Sequence, residues 1–547
     1  MYSSSRRTFL AQSSLAVAST AFGWSRTARA ITLPTHSRRS ILSHGPDLVD
    51  GATLRTLAQR GVDAAKSAGA TYADIRLNDA RTLDMLSDRR GPLSTMFVEL
   101  NFGIRVLVDG MWAFASGTEL TPDAIALAAR SAVTTARGLS TMGGARQELT
   151  PVPVVTGEWS MPVAQDVFDT SPDELAKLFG AYWQAIDHVF AADLTNSHVN
   201  WTKESRVFAS TEGSLVTQHL TARNVGITVG VHALDRKEAT RLPVVGLDME
   251  RVGLDGLTGA DVQERIKETA EECKRLTRYP EASADVGRYP AVLDGGAIGS
   301  IFGATIAQGL GMDRVLGNDA DNVGTSFLAP VDAVLGQQQF SPLLNVTADR
   351  APPHFGAAKW DDEGVATETF PVITKGAVVD YFTTRSTAPA LASWYAKQGR
   401  PVTSRGSAIA WSAALAPKGC ASHLTIASGT TGKTLDNLMK EMGTGLLLRG
   451  SDFAVSDQQV SGGAFGPYMM YEVKQGQITR RLRGGLMQFG TKSLWNGLAT
   501  LGDASTVISE VNRSYIGETW IAKLLPVAAP AAHMRQVDII QTGRILL

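Results

Sequence analysis

At 547 residues the chain exceeds what one ordinary hydrophobic core supports, so two or three domains are expected. A composition of 44% hydrophobic and 19% charged residues is that of a soluble globular protein. A net charge of −1 leaves no basic footprint for nucleic acid.

The chain opens on a targeting pattern. "SRRTFL" (Ser5 to Leu10) precedes the apolar "AQSSLAVASTAFGW" and then "ARA", Ala28 to Ala30. A charged start, an apolar middle and a small-x-small end form a signal peptide over residues 1–30. The pair Arg6-Arg7 followed by Phe9-Leu10 marks the twin-arginine type, so the expected location is periplasmic. Removing the segment takes away four arginines and no acid, which moves the net charge to −5. Residues 31–50 read as a linker. Arg38-Arg39 lacks an apolar run behind it and carries no export signal.

Helical spacing in "GATLRTLAQRGVDAAKSAGA" stops at Gly69. "YADIRLND" and "RTLDMLSDRRG" alternate as strands, and "STMFVELNFGIRVLVDGMWAFASG" forms a hairpin turning at Asp109-Gly110. Thr121 caps a helix with Pro122 at its first position. A second round follows, with a helix from Ser171 and strands from Ser197 to Ala233. A third helix runs from about Ala260 to Leu276. These elements make an N-terminal α+β domain over 51–280.

From Pro290 short apolar runs alternate with turn residues, with hairpin signals at Lys375-Gly376 and Gln475-Gly476-Gln477. A mostly antiparallel β domain over 285–547 is expected, interrupted by helices at 297–310, 433–442 and 491–500. The 53 glycines, about a tenth of the chain against a usual share of roughly 7%, fit so turn-rich a fold.

The chemistry-bearing motifs are few. "ASGTTGKT", Ala427 to Thr434, approaches a phosphate-binding loop, but Ala427 replaces its first glycine. A strand-turn-helix capped by Thr434 accounts for the same residues. The nine histidines are scattered. Cys420 and His423 are three apart, on opposite faces if on a strand. "DDEG", Asp361 to Gly364, is an acidic run before a strand; it could bind a cation, but a solvated loop is the favoured reading. The two cysteines, Cys273 and Cys420, permit one disulfide in an oxidising compartment.

"FGIRVLVDGMWAFAS", the "AQGLGMD" end of the 297–310 helix, "DDEGVATETFPVITKGAVVDYFTTR" and the stretch after Arg480 resemble the TldD/PmbA family of bacterial zinc metallopeptidases. The resemblance implies an α+β fold of the TldD/PmbA type, assembled as a dimer around an inner cavity. In active members an HExxxH helix supplies two zinc-binding histidines and a glutamate that activates water, and a C-terminal cysteine adds a ligand. Here those helix positions hold Gly303, Ala304 and Gln308, and no cysteine follows Cys420. No catalytic residue, metal ligand or cofactor is therefore expected.

Three readings follow. The first is a non-catalytic subunit acting on unfolded peptides, paired as a homodimer or with a homologue carrying HExxxH. The second is an autonomous peptide- or ligand-binding homodimer, with Gln308, Asp313 and His423 as cavity candidates. The third is a hydrolase with a relocated site using His354, His423 or Asp313.

Overall fold

The fold was analysed as a computed structural model, which describes residues 31–32, 49–143, 146–232, 239–245, 247, 251–321, 323–350, 356–515 and 522–541. The signal segment, Arg38-Arg39 and His354 lie outside the described residues. Among the described residues no helix is long and apolar enough to cross a membrane.

Helix α1 (Gly51–Ser67) is capped by the Asp50 side chain and leads into strand β1 (Tyr72–Asp88). The two strands expected there form one, because β1 pairs along its whole length with β2 (Gly91–Val108). The β2 chain turns at Asp109-Gly110, both at positive φ, into β3 (Met111–Gly117). Thr121 caps α2 (Pro122–Thr141) by accepting from the Ala124 amide, with Pro122 at the start as expected. Ser171 and Glu174 form a reciprocal capping box at the head of α3 (Pro172–Ile186). A long hairpin, β4 (Ala192–Ser210) and β5 (Leu215–His232), completes the strands, and α4 (Ala260–Leu276) follows. The sheet order is β3-β2-β1-β4-β5, these five antiparallel, with shorter strands added beside β5, of which Thr156–Ser160 runs parallel to it.

Alternation along β1 sends Ile75 and Leu77 to one face, where they join a core with Leu54 and Val62 of α1 and Ile125 and Ala129 of α2. Asp74, Arg76 and Asn78 point to the other face, yet they are as buried as the apolar set. That face meets the C-terminal half of the chain.

The C-terminal half holds two larger sheets, mostly antiparallel. In the first, β6 (Gly287–Leu293) lies between β7 (Gly445–Arg449), to which it is parallel, and the strand Ala532–Gln541. The second runs through Phe370–Thr374, Val346–Ala348, Leu424–Ile426 and β8 (Ala522–Ala529). The hairpins at Lys375-Gly376 and Gln475-Gly476 form with both residues of each pair at positive φ. Leu447 and Tyr471 of this half share a core with α3 and α4, which join the two halves.

The structure differs from the sequence expectations in three other places. The segment 297–310 is two helices, α5 (Gly295–Ala304) and α6 (Ile306–Gly309), broken at Thr305. The helix at 491–500 stops at Asn496, and Leu498–Leu501 is a strand pairing with Met534 and its neighbours. "DDEG" is not solvated. Asp361, Asp362 and Glu363 are each no more than 2% exposed, because the N-terminal sheet covers them with cations. Arg206 of β4 reaches Asp362 at 2.8 Å, and Arg105 of β2 reaches Glu363 at 2.9 Å. Asp361 accepts from the amides of Glu363, Val365 and Ala408 and so shapes the turn itself.

Candidate functional site

The site begins with the way α5 is seated. Asp294 caps it by accepting from the Ala297 amide at 2.9 Å, and the same carboxylate accepts from Gly450 after β7. Burial raises the Asp294 carboxyl above the usual range, against the pull of nearby Arg449. A Cβ on Gly295 would stand 2.3 Å from the Ala529 carbonyl of β8, and one on Gly299 3.3 Å from that of Val527. Small residues therefore let the helix lie backbone-to-backbone on the strand. All ten residues of α5 are buried.

Thr305 ends α5 with φ −123° and ψ −87°. Its hydroxyl donates back to the Ile301 carbonyl at 2.6 Å, and its amide donates to Phe302. The bend matters for geometry. Positions 303 and 308, five apart, would sit about 140° apart around an unbroken helix. The break allows a different relation between them.

Gln308 donates to the Ala304 carbonyl at 3.2 Å and accepts from Arg314 at 3.3 Å. The buried Arg314 guanidinium also donates to the carbonyls of Thr325, Val323 and Gln458. Asp313 accepts from the Gly419 amide at 2.9 Å and from Asn318. Burial pushes the Asp313 carboxyl upward, aided by Asp319. Lys418 pairs with buried Asp319.

These groups line a cavity of about 20 Å³, with Gln308, Asp313, Arg314, Asp319, Lys418 and Cys420 on its wall. That is room for one water or one small ion. Of the sequence candidates, Gln308 and Asp313 come together here. His423 does not line this cavity; its carbonyl accepts from the Asp349 amide beside the second sheet. Sequence reasoning missed Arg314, Asp319, Lys418 and Cys420. Asp313 ends the "AQGLGMD" stretch and Arg314 follows it, but nothing local signals that Lys418 comes to meet them. Cys273 and Cys420 are both buried and are not joined in a disulfide. The Gly432 amide of the "ASGTTGKT" loop donates to the Asp503 carboxylate, and Thr434 caps the following helix.

Residues 286–539 match the model of the PmbA/TldA metallopeptidase C-terminal domain, and residues 73–136 match that of the PmbA/TldA metallopeptidase domain 1. The chain belongs to the PmbA/TldD family. Among solved structures, a putative modulator of DNA gyrase from Thermotoga maritima is 15% identical, covering 89% of this chain and 100% of its own, with a TM-score of 0.66. TldE from Thermococcus kodakarensis is 14% identical, covering 89% of this chain and 99% of its own, with a TM-score of 0.66. A putative modulator of DNA gyrase from Bacteroides thetaiotaomicron is 15% identical over 89% of this chain and 98% of its own, with a TM-score of 0.61. At such identities the structures establish a shared PmbA/TldD fold. No curated protein matches the sequence.

Metallopeptidase membership raises the question of a metal. The donors around this cavity do not fit zinc. Of the three helix positions singled out in the sequence, only Gln308 lines the cavity, and its side chain is an amide. Among the described residues no group of three His, Cys, Asp or Glu side chains could hold an ion. A catalytic zinc site normally needs three protein ligands and an open position.

Proposed function

We propose that the chain is a non-catalytic PmbA/TldD subunit of an exported peptidase complex. It pairs with a homologue carrying HExxxH and positions or admits unfolded peptide for that partner. The observation that carries this reading is the Gln308–Arg314 hydrogen bond. At the position equated with a zinc-binding histidine, an amide oxygen is already committed to a fixed cation. The small, close-packed α5 helix supports the reading from another side, since its residues serve seating on β8 rather than chemistry.

The test is native co-purification of the mature chain with an HExxxH homologue, with zinc content and cleavage of an unfolded peptide measured for each protein alone and together. The chain alone should hold no stoichiometric zinc and cleave nothing, and it should co-elute with the homologue. One tightly held zinc per chain, with cleavage by the chain alone, would overturn the reading.

A further inference from the structure

The cavity holds two acids, Asp313 and Asp319, and two bases, Arg314 and Lys418. Their formal charges cancel. Each is also committed: Arg314 to four oxygens, Asp313 to the Gly419 amide, and Lys418 to Asp319. In a space one water wide, a second positive charge would lie against both bases, with no surplus anion on the cavity wall to offset it. Such repulsion is screened less between buried or partly buried charges than between exposed ones.

We infer that Arg314 and Lys418 are resident cations of this site, which close it to a divalent metal independently of the missing ligands. The inference rests on the reading of the chain as non-catalytic and adds a second, separable reason for it. Restoring the ligand positions alone then leaves zinc binding weak. Removing Lys418 strengthens it, because Asp319 is freed as an anion on the cavity wall. Lys418 is the better base to change, since about a third of its side chain is exposed, whereas Arg314 ties the 323–325 and 458 loops together.

The experiment uses the full mature chain in three forms. These are the repair variant Gly303→His, Ala304→Glu, Gln308→His; the same with Lys418→Gln; and the same with Lys418→Gln and Asp319→Asn. Zinc stoichiometry and Kd are read by competition with a chromophoric chelator, and metal-free thermal melts confirm folding. The last form avoids a buried, unpaired Asp319, should that carboxylate alone disturb the fold. The repair variant should bind zinc weakly, and Lys418→Gln should tighten binding at least tenfold. The form lacking both charges should fall between them. Tight stoichiometric zinc in the repair variant itself overturns the inference, as does a Kd unmoved by either Lys418 change. Zinc content and peptide cleavage of the wild-type chain test the functional reading separately, so the two can fail independently.

Discussion

The side-chain oxygen of Gln308 accepts a hydrogen bond from the Arg314 guanidinium at 3.3 Å, six residues further along the chain. Arg314 keeps three backbone acceptors when that bond is lost. Gln308→Ala should therefore cost about 1 kcal/mol, the usual net worth of one hydrogen bond. Gly303→Leu should cost more, roughly 1–3 kcal/mol, because it forces bulk into a fully buried, close-packed helix. Urea unfolding of both variants checks the order. Equal losses would give Gln308 a role beyond this bond.

Arg105 is the hinge of the contact between the two halves. It pairs with Asp74 on β1 at 2.5 Å and with Glu363 at 2.9 Å, and its guanidinium lies 4.8 Å from the Trp112 ring centre. Arg105→Met would leave two buried carboxylates short of a partner, at a cost of about 3–5 kcal/mol. Arg105→Lys should recover part of this, having the charge without the planar fork. Denaturation midpoints measure both. A loss below about 1 kcal/mol for the Met variant would mean that the network is not stabilising the junction.

Asp380 gives a pH signature. Burial raises its carboxyl to about 6, although Arg405 at 2.8 Å pulls the other way. The native state then holds a proton that the unfolded chain releases near the ordinary value of 3.8. This group's contribution to stability is full below about pH 4 and is lost as pH rises through about 6. The stability difference between wild type and Asp380→Asn should therefore shrink across that interval. Stability curves of the two proteins from pH 4 to 7 decide it, and parallel curves would contradict the assignment.

Export should require the first arginine pair. Arg6→Lys with Arg7→Lys should leave precursor in the cytoplasm, whereas the same changes at Arg38 and Arg39 should not, because only the first pair precedes an apolar run. Fractionation of cells expressing each form tests this. Normal export of the first variant would remove the twin-arginine reading and the periplasmic location that rests on it.

The sequence by itself determined what depends on neighbours three or four residues apart. The Thr121 and Ser171 caps, the extent of α4 and the three two-residue turns all follow from backbone groups and side chains within one turn of each other. The family resemblance was legible for a related reason, since its motifs are short contiguous strings. Tertiary structure alone decided where charge is buried. "YADIRLND" alternates as a half-exposed strand would, and "DDEG" has the composition of a loop. Both are buried because each faces the other's half of the molecule, with Arg105 and Glu363 lying 258 residues apart in the chain. The break at Thr305 and the pairing of Lys418 with Asp319 were hidden in the same way. A helix of small residues carries no signal of where its hydrogen-bond ladder stops. An ion pair closed across 99 residues leaves no periodicity to read. Local chemistry fixes elements, but whether a charged group is solvated, paired or set against a metal depends on which distant surface the fold lays over it.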